Sequence, residues 1–267
     1  MSVISATAQL LLDLLFPPRC VSCGASGAVL CSTCLASVRT PEPPICRRCG
    51  RSLAAALPTQ ADRICRFCAS GREIAHLDGR RAASVYEGAV RQAILALKFR
   101  GQRRVAHPLA ELLLSCYYSE ALVADLIVPI PLHDARRRQR GYDQARLIAQ
   151  PLGARLRLPV RTDLLVRQRA TRAQMTLSRA ERLSNVTDAF ALPSPAVASV
   201  LAGKRVLLVD DVTTTGSTLD VAARALREAN PASVWGLAVA QPTLDAEGAT
   251  ESSSASGATN PARRSRR

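Results

Sequence analysis

The thirteen residues Val206–Leu207–Leu208–Val209–Asp210–Asp211–Val212–Thr213–Thr214–Thr215–Gly216–Ser217–Thr218 leave few folds open. Four apolar residues in a row read as a buried strand, and the C-terminal end of such a strand is where doubly wound sheets place ligands. Asp210 and Asp211 stand at that end. Burying adjacent like charges is costly unless a cation or hydroxyl donors satisfy them. A furanose with its 2′- and 3′-hydroxyls, accompanied by Mg²⁺, meets that need. Thr213, Thr214, Thr215, Gly216, Ser217 and Thr218 then offer hydroxyls and unpaired backbone N–H groups at the start of a helix. Such a loop suits an anion, here a 5′-phosphate, and Gly216 allows close backbone approach.

The rest of the chain supplies matching elements. Strands are expected at Ala83–Tyr86, Leu126–Ile130, Val206–Val209 and Val234–Ala240. Helices are expected at Ala89–Phe99, about Val105–Tyr118, near Gln144–Leu156 and at Leu219–Glu228. Strands alternating with helices predict an α/β domain with a doubly wound, mostly parallel sheet. At 48% apolar content the 267 residues can fill its core and leave room for a smaller module. The net charge of +15 is nearly all arginine, Lys98 and Lys204 being the only lysines, and points to phosphate-bearing partners, nucleic acid or a polyphosphate metabolite. Aromatic residues are only 3%, which weakens a reading built on base stacking. Between residues 131 and 182 thirteen arginines face four acids; parts of this stretch suit a mobile, water-excluding cover over a diphosphate.

Eight of the nine cysteines form four Cys-x-x-Cys pairs: Cys20/Cys23, Cys31/Cys34, Cys46/Cys49 and Cys65/Cys68. Two thiolates spaced this way converge on one point, as tetrahedral zinc demands, and two pairs complete a closed, structural site. The expectation is two structural Zn²⁺ ions. Sequential pairing is favoured over a cross-brace of alternate pairs, and both arrangements satisfy the spacing. No basic n-region or cleavage site precedes the cysteines, and Leu10–Phe16 is broken by Asp13 and stopped by Pro17–Pro18. A cytoplasmic chain without a membrane span is therefore expected, which disfavours disulfides. His76 could replace a thiolate, although eight cysteines suffice; Cys116 reads as a core residue on an apolar helix. The domains are set at 1–75 (a short amphipathic helix over 4–16 and the zinc module), 76–244 (the α/β domain) and 245–267 (a disordered basic tail).

The run from Val206 to Thr218 resembles the motif by which type I phosphoribosyltransferases bind 5-phosphoribosyl 1-pyrophosphate (PRPP). The chain as a whole resembles the ComF family, which joins a cysteine-rich zinc module to such a domain. The resemblance covers about residues 8–241. It includes Leu97–Lys98–Phe99–Arg100–Gly101, Val128–Pro129–Ile130–Pro131–Leu132–His133, Arg140–Gly141–Tyr142–Asp143–Gln144–Ala145, and Gln174 through Leu177–Ser178–Arg179–Ala180–Glu181–Arg182 to Asn185 and Phe190. It implies the type I phosphoribosyltransferase fold, with PRPP or a nucleotide and Mg²⁺ at Asp210, Asp211 and the loop Thr213–Thr218. Lys98, Arg140, Gln144, Arg179 and Arg182 are the candidates for the pyrophosphate and its covering loop. His133 is a weak candidate acid or base, since a lone histidine is more often structural. Asp143 departs from the family's usual Asn and would repel a diphosphate unless an arginine or Mg²⁺ pairs with it. The favoured function is DNA uptake in natural transformation, with single-stranded DNA and a competence helicase as partners. An active phosphoribosyltransferase with an unknown acceptor and a nucleotide-sensing regulator remain the alternatives.

Overall fold

The computed structural model describes residues 16–53, 63–70, 74–168 and 189–243. The tail after Asp245, nearly all of the expected N-terminal helix, Arg179 and Arg182 lie outside the described residues. In chain order the strands are β1 (Gly79–Val85), β2 (Leu126–Pro129), β3 (Val166–Arg167), β4 (Phe190–Ala191), β5 (Arg205–Val212) and β6 (Ser233–Gln241). The helices are α1 (Ser32–Ala36), α2 (Arg66–Ala69), α3 (Gly88–Phe99), α4 (Ala106–Ser119), α5 (Asp134–Arg140), α6 (Gln144–Leu156), α7 (Ala196–Leu201) and α8 (Ser217–Arg227).

Four strands make one wholly parallel sheet in the order β1–β6–β5–β2. β5 is central, buried on both faces, and its alternate residues feed two different cores. Leu207 and Val209 pack with Leu109 and Leu113 of α4 and Ile148 and Leu152 of α6. Val206 and Leu208 pack with Leu219, Ala222 and Leu226 of α8. α8 can do this because Leu219, Ala222, Ala223 and Leu226 recur at helical spacing on one face. Helices thus cover both faces of the sheet, as a doubly wound fold requires, and each fully buried leucine contributes about 1.5–3 kcal/mol.

Each expected strand and helix of this domain is present, with ends shifted by a few residues. Four described α-helices and strands of this domain are additional: α5, α7 and the short antiparallel pair β3–β4. α5 occupies part of the arginine-rich stretch read above as loop cover. It buries no residue, so no apolar period marks it; His133 caps its start and Gly141, at φ +74°, ends it.

The cysteine-rich module lies along the outer edge of β1. Backbone amides of β1 donate outward to it, Arg80 N to Arg48 O at 2.7 Å and Val85 N to Arg39 O at 2.8 Å. Arg81 Nη1 adds a bond to Arg47 O at 3.0 Å. The module therefore closes an edge that would otherwise expose unpaired strand amides. Among the described residues no helix is long and apolar enough to cross a membrane.

Candidate functional site

β5 carries Asp210 and Asp211 to the carboxyl end of the sheet, where the run of buried apolar side chains stops. Asp211 is only 3% exposed. Its Oδ1 accepts an ion pair from Lys98 Nζ at 2.7 Å. Its Oδ2 is buried and has no hydrogen-bond donor among the described residues. Asp210 Oδ1 accepts from the Asp211 amide at 2.8 Å. Burial, then the Asp211 charge, push the Asp210 carboxyl up to about 8, against the pull of Lys98. The pair is short of positive charge and of donors. That deficit fits ribose hydroxyls and a Mg²⁺ ion accompanying a diphosphate: Asp210 and Asp211 would hold them, and the ion would supply charge neutralisation.

The loop after β5 is fixed from behind. Thr213 N donates to Ala240 O at 3.0 Å, extending the pairing with β6. Thr213 Oγ1 accepts from Arg80 Nη1 at 3.2 Å. Thr214 O accepts from Arg51 Nη2 at 2.9 Å and from Arg80 Nη2 at 3.2 Å. Thr215 and Ser217 share a hydroxyl hydrogen bond at 2.6 Å. Gly216 sits at φ +90°, and a Cβ there would stand 2.7 Å from Arg80 Nε, so both conformation and space demand glycine. α8 begins at the next residue, so its N-terminus and dipole face the same place, the Ser217 amide donating to Thr215 Oγ1 at 3.4 Å. The amides of Thr214, Thr215 and Gly216 make no backbone hydrogen bond among the described residues.

The other expected residues fall into two groups. Lys98 joins the acid pair directly, through Asp211. Arg140 and Gln144 are joined to each other, Nη1 to Oε1 at 3.1 Å, and Arg140 also lies 5.0 Å over the Phe99 ring. Lys98, Phe99, Arg136, Gln139, Arg140 and Tyr142 surround a cleft of about 510 Å³. His133 caps α5, its Nδ1 accepting from Ala135 N at 3.2 Å. Asp143 is the N-cap of α6, accepting from Arg146 N at 3.1 Å, and its other oxygen accepts from Leu132 N at 2.7 Å. Two backbone amides thus engage its carboxylate, though its charge still adds to the rise at Asp210. Arg51 and Arg80 carry no mark of this role in the sequence. Nothing in a sequence separates a buried arginine from the many exposed ones.

Each cysteine cluster repeats one design. Cys20, Cys23, Cys31 and Cys34 bring their sulfur atoms within 4.8 Å of one another, and so do Cys46, Cys49, Cys65 and Cys68. The pairing is sequential, not cross-braced. Zn–S bonds of about 2.3 Å in a tetrahedron set sulfurs about 3.8 Å apart. Cys23–Cys31 and Cys49–Cys65 are each at 3.6 Å. Each first pair closes a turn whose glycine, Gly24 or Gly50, has positive φ and donates to the carbonyl of the first cysteine at 2.9 Å. Cys20 and Cys46 accept amides from Cys31 and Cys65 at 3.5 and 3.3 Å. Burial pushes Cys20 up, but amides of Cys23, Cys31 and Ser22 outweigh it and leave the thiol lowered to about 6. Cys49 and Cys68 thiols hold Cys46 far below the usual range. Two clusters of four converging sulfurs fit two structural zinc ions, one in each cluster. His76 takes no part; its Nδ1 meets Asp220 Oδ2 at 3.0 Å. Cys116 lies partly buried on α4, where burial raises its thiol to about 12.

The double zinc ribbon domain model matches residues 11–69, and the phosphoribosyl transferase domain model matches residues 142–249. Over 213 residues the chain is 31% identical to the DNA utilization protein YhgH of Escherichia coli, covering 77% of this chain and 87% of that protein. The chain belongs to the ComF family. Its ComF relatives include Competence protein F of Haemophilus influenzae, 35% identical over 152 residues, 54% of this chain and 66% of that protein. Competence protein ComFC of Bacillus subtilis is 27% identical over 209 residues, 74% of this chain and 78% of that protein. Both ComF modules, the zinc ribbons and the phosphoribosyltransferase fold, are thus present in one chain.

Proposed function

We propose that this chain holds a 5-phosphoribosyl group, as PRPP or as a nucleotide unit, with Mg²⁺, and that it acts on single-stranded DNA in DNA uptake or utilization. The observation that carries the reading is the paired deficit at the end of β5. Among the described residues a buried Asp211 oxygen lacks a donor, and the adjoining loop offers amides without a backbone acceptor. Ribose hydroxyls supply the first and a 5′-phosphate takes up the second. The DNA part rests on the names of the ComF relatives and on the net charge of +15. The cleft between Lys98 and Arg136 gives a phosphate backbone a positively charged wall beside the acid pair.

The test compares PRPP and single-stranded DNA binding in the wild type and in the double variant Asp210→Asn/Asp211→Asn. Both affinities fall at least 10-fold if one site serves both ligands. Unchanged DNA affinity with lost PRPP affinity separates the DNA surface from the ribose site. A wild type that binds neither near physiological salt refutes the reading. Release of pyrophosphate with an acceptor would instead identify a transferase.

A further inference from the structure

We propose that Arg51, carried by the second zinc knuckle, is a positioning residue of the ribose-phosphate loop, so that the zinc module forms part of the anion site. The inference rests on the ribose-phosphate reading above and extends it to residues far from the motif.

Arg51 is 5% exposed and Arg80 is 0% exposed. Both guanidinium groups lie beneath the loop and donate to its carbonyls. Arg51 Nη2 reaches Thr214 O at 2.9 Å, and Arg80 Nη2 reaches Thr214 O at 3.2 Å and Thr215 O at 3.5 Å. In a planar trans peptide the C=O and the following N–H point in opposite directions. Holding the Thr214 and Thr215 carbonyls down therefore turns the Thr215 and Gly216 amides up, away from the protein. Those are two of the amides without a backbone acceptor among the described residues. Two cationic groups just below add positive potential where a phosphate would sit.

The position of Arg51 is set by the second cysteine cluster. It stands two residues after Cys49, and Cys46 N donates to its carbonyl at 2.8 Å. Gly50 between them has φ +69°, and Gly50 O accepts from Gln241 Nε2 at 3.0 Å at the end of β6. The knuckle is thus clamped on one side by its cysteines and on the other by the sheet, and Arg51 bridges the two. A module that only docked a partner would need no buried arginine under the loop.

Calorimetry with ribose 5-phosphate on full-length, zinc-loaded Arg51→Met and Arg51→Lys tests this. Zinc content and unliganded Tm are measured on the same samples. Arg51→Met is expected to weaken ribose 5-phosphate at least 10-fold while keeping two zinc ions. Arg51→Lys, which keeps one cationic donor of shorter reach, is expected to fall between Met and wild type. Wild-type affinity in zinc-replete Arg51→Met overturns the inference and leaves the ribose-phosphate reading standing. Equal losses in Met and Lys also overturn it, because a packing role would be met alike by both. If Arg51→Met loses zinc, the comparison rests on Arg51→Lys, and undiminished affinity there overturns the inference. A wild type that fails to bind ribose 5-phosphate overturns the underlying reading itself.

Discussion

The Asp210 carboxyl, raised to about 8, has consequences that pH can expose. An unfolded aspartate titrates near 3.9. Between about pH 4 and 8 the folded chain holds a proton that the unfolded chain has lost. On this group's account the unliganded protein loses stability as pH rises through that window and changes no further above it. Hydroxyl donors and Mg²⁺ favour the ionised form, so binding ribose 5-phosphate with Mg²⁺ expels the proton. Affinity is expected to climb towards pH 8, with proton release visible at pH 7.5 by calorimetry in two buffers of different ionisation enthalpy. Asp210→Asn should abolish that release and raise the unliganded Tm at pH 8. An Asn variant that releases as many protons as the wild type refutes the assignment. The acid pair and Gly216 are legible in the sequence because their chemistry is local, thirteen residues holding strand, charge and loop. Arg51 and Arg80 are not, since their meaning comes from contacts 163 and 134 residues away.

Among elements, α6 shows how a residue that looks like a threat to the site serves the scaffold. Asp143 caps α6 and ties it to Leu132, just beyond β2. Asp143→Ala removes both bonds and is expected to cost about 1–2 kcal/mol, since a lost N-cap alone costs about 1. In a domain of this size that lowers Tm by about 2–8 °C. Asp143→Asn should recover most of the loss, and a thermal melt without any shift for the alanine variant would refute the capping role. The long elements are legible because burial imposes a period, as at Leu109, Leu113 and Tyr117 in α4. Pro151 lies within α6, yet the buried residues Ile148 and Leu152 around it keep the apolar pattern readable. α5 buries nothing, and β3 and β4 have two residues each, so neither burial nor length writes them into the sequence.

For the whole molecule, two closed four-cysteine clusters predict two zinc ions per chain by metal analysis. A strong chelator should lower Tm and, through the knuckle at Gly50 and Arg51, weaken ribose 5-phosphate as well. Retained affinity in fully stripped protein would show that the two modules are independent. The same knuckle has a consequence for the order in which the molecule is made. Cys20 to Cys68 leave the ribosome early and can take up metal while the chain grows. The loop at Thr213–Thr218 must wait for partners on both sides: Arg51 behind it and Ala240 ahead of it. Contacts of such long sequence separation form late, since loop closure must precede them. The anion loop therefore acquires its shape late, and a nascent chain can carry its zinc well before it can hold a phosphate.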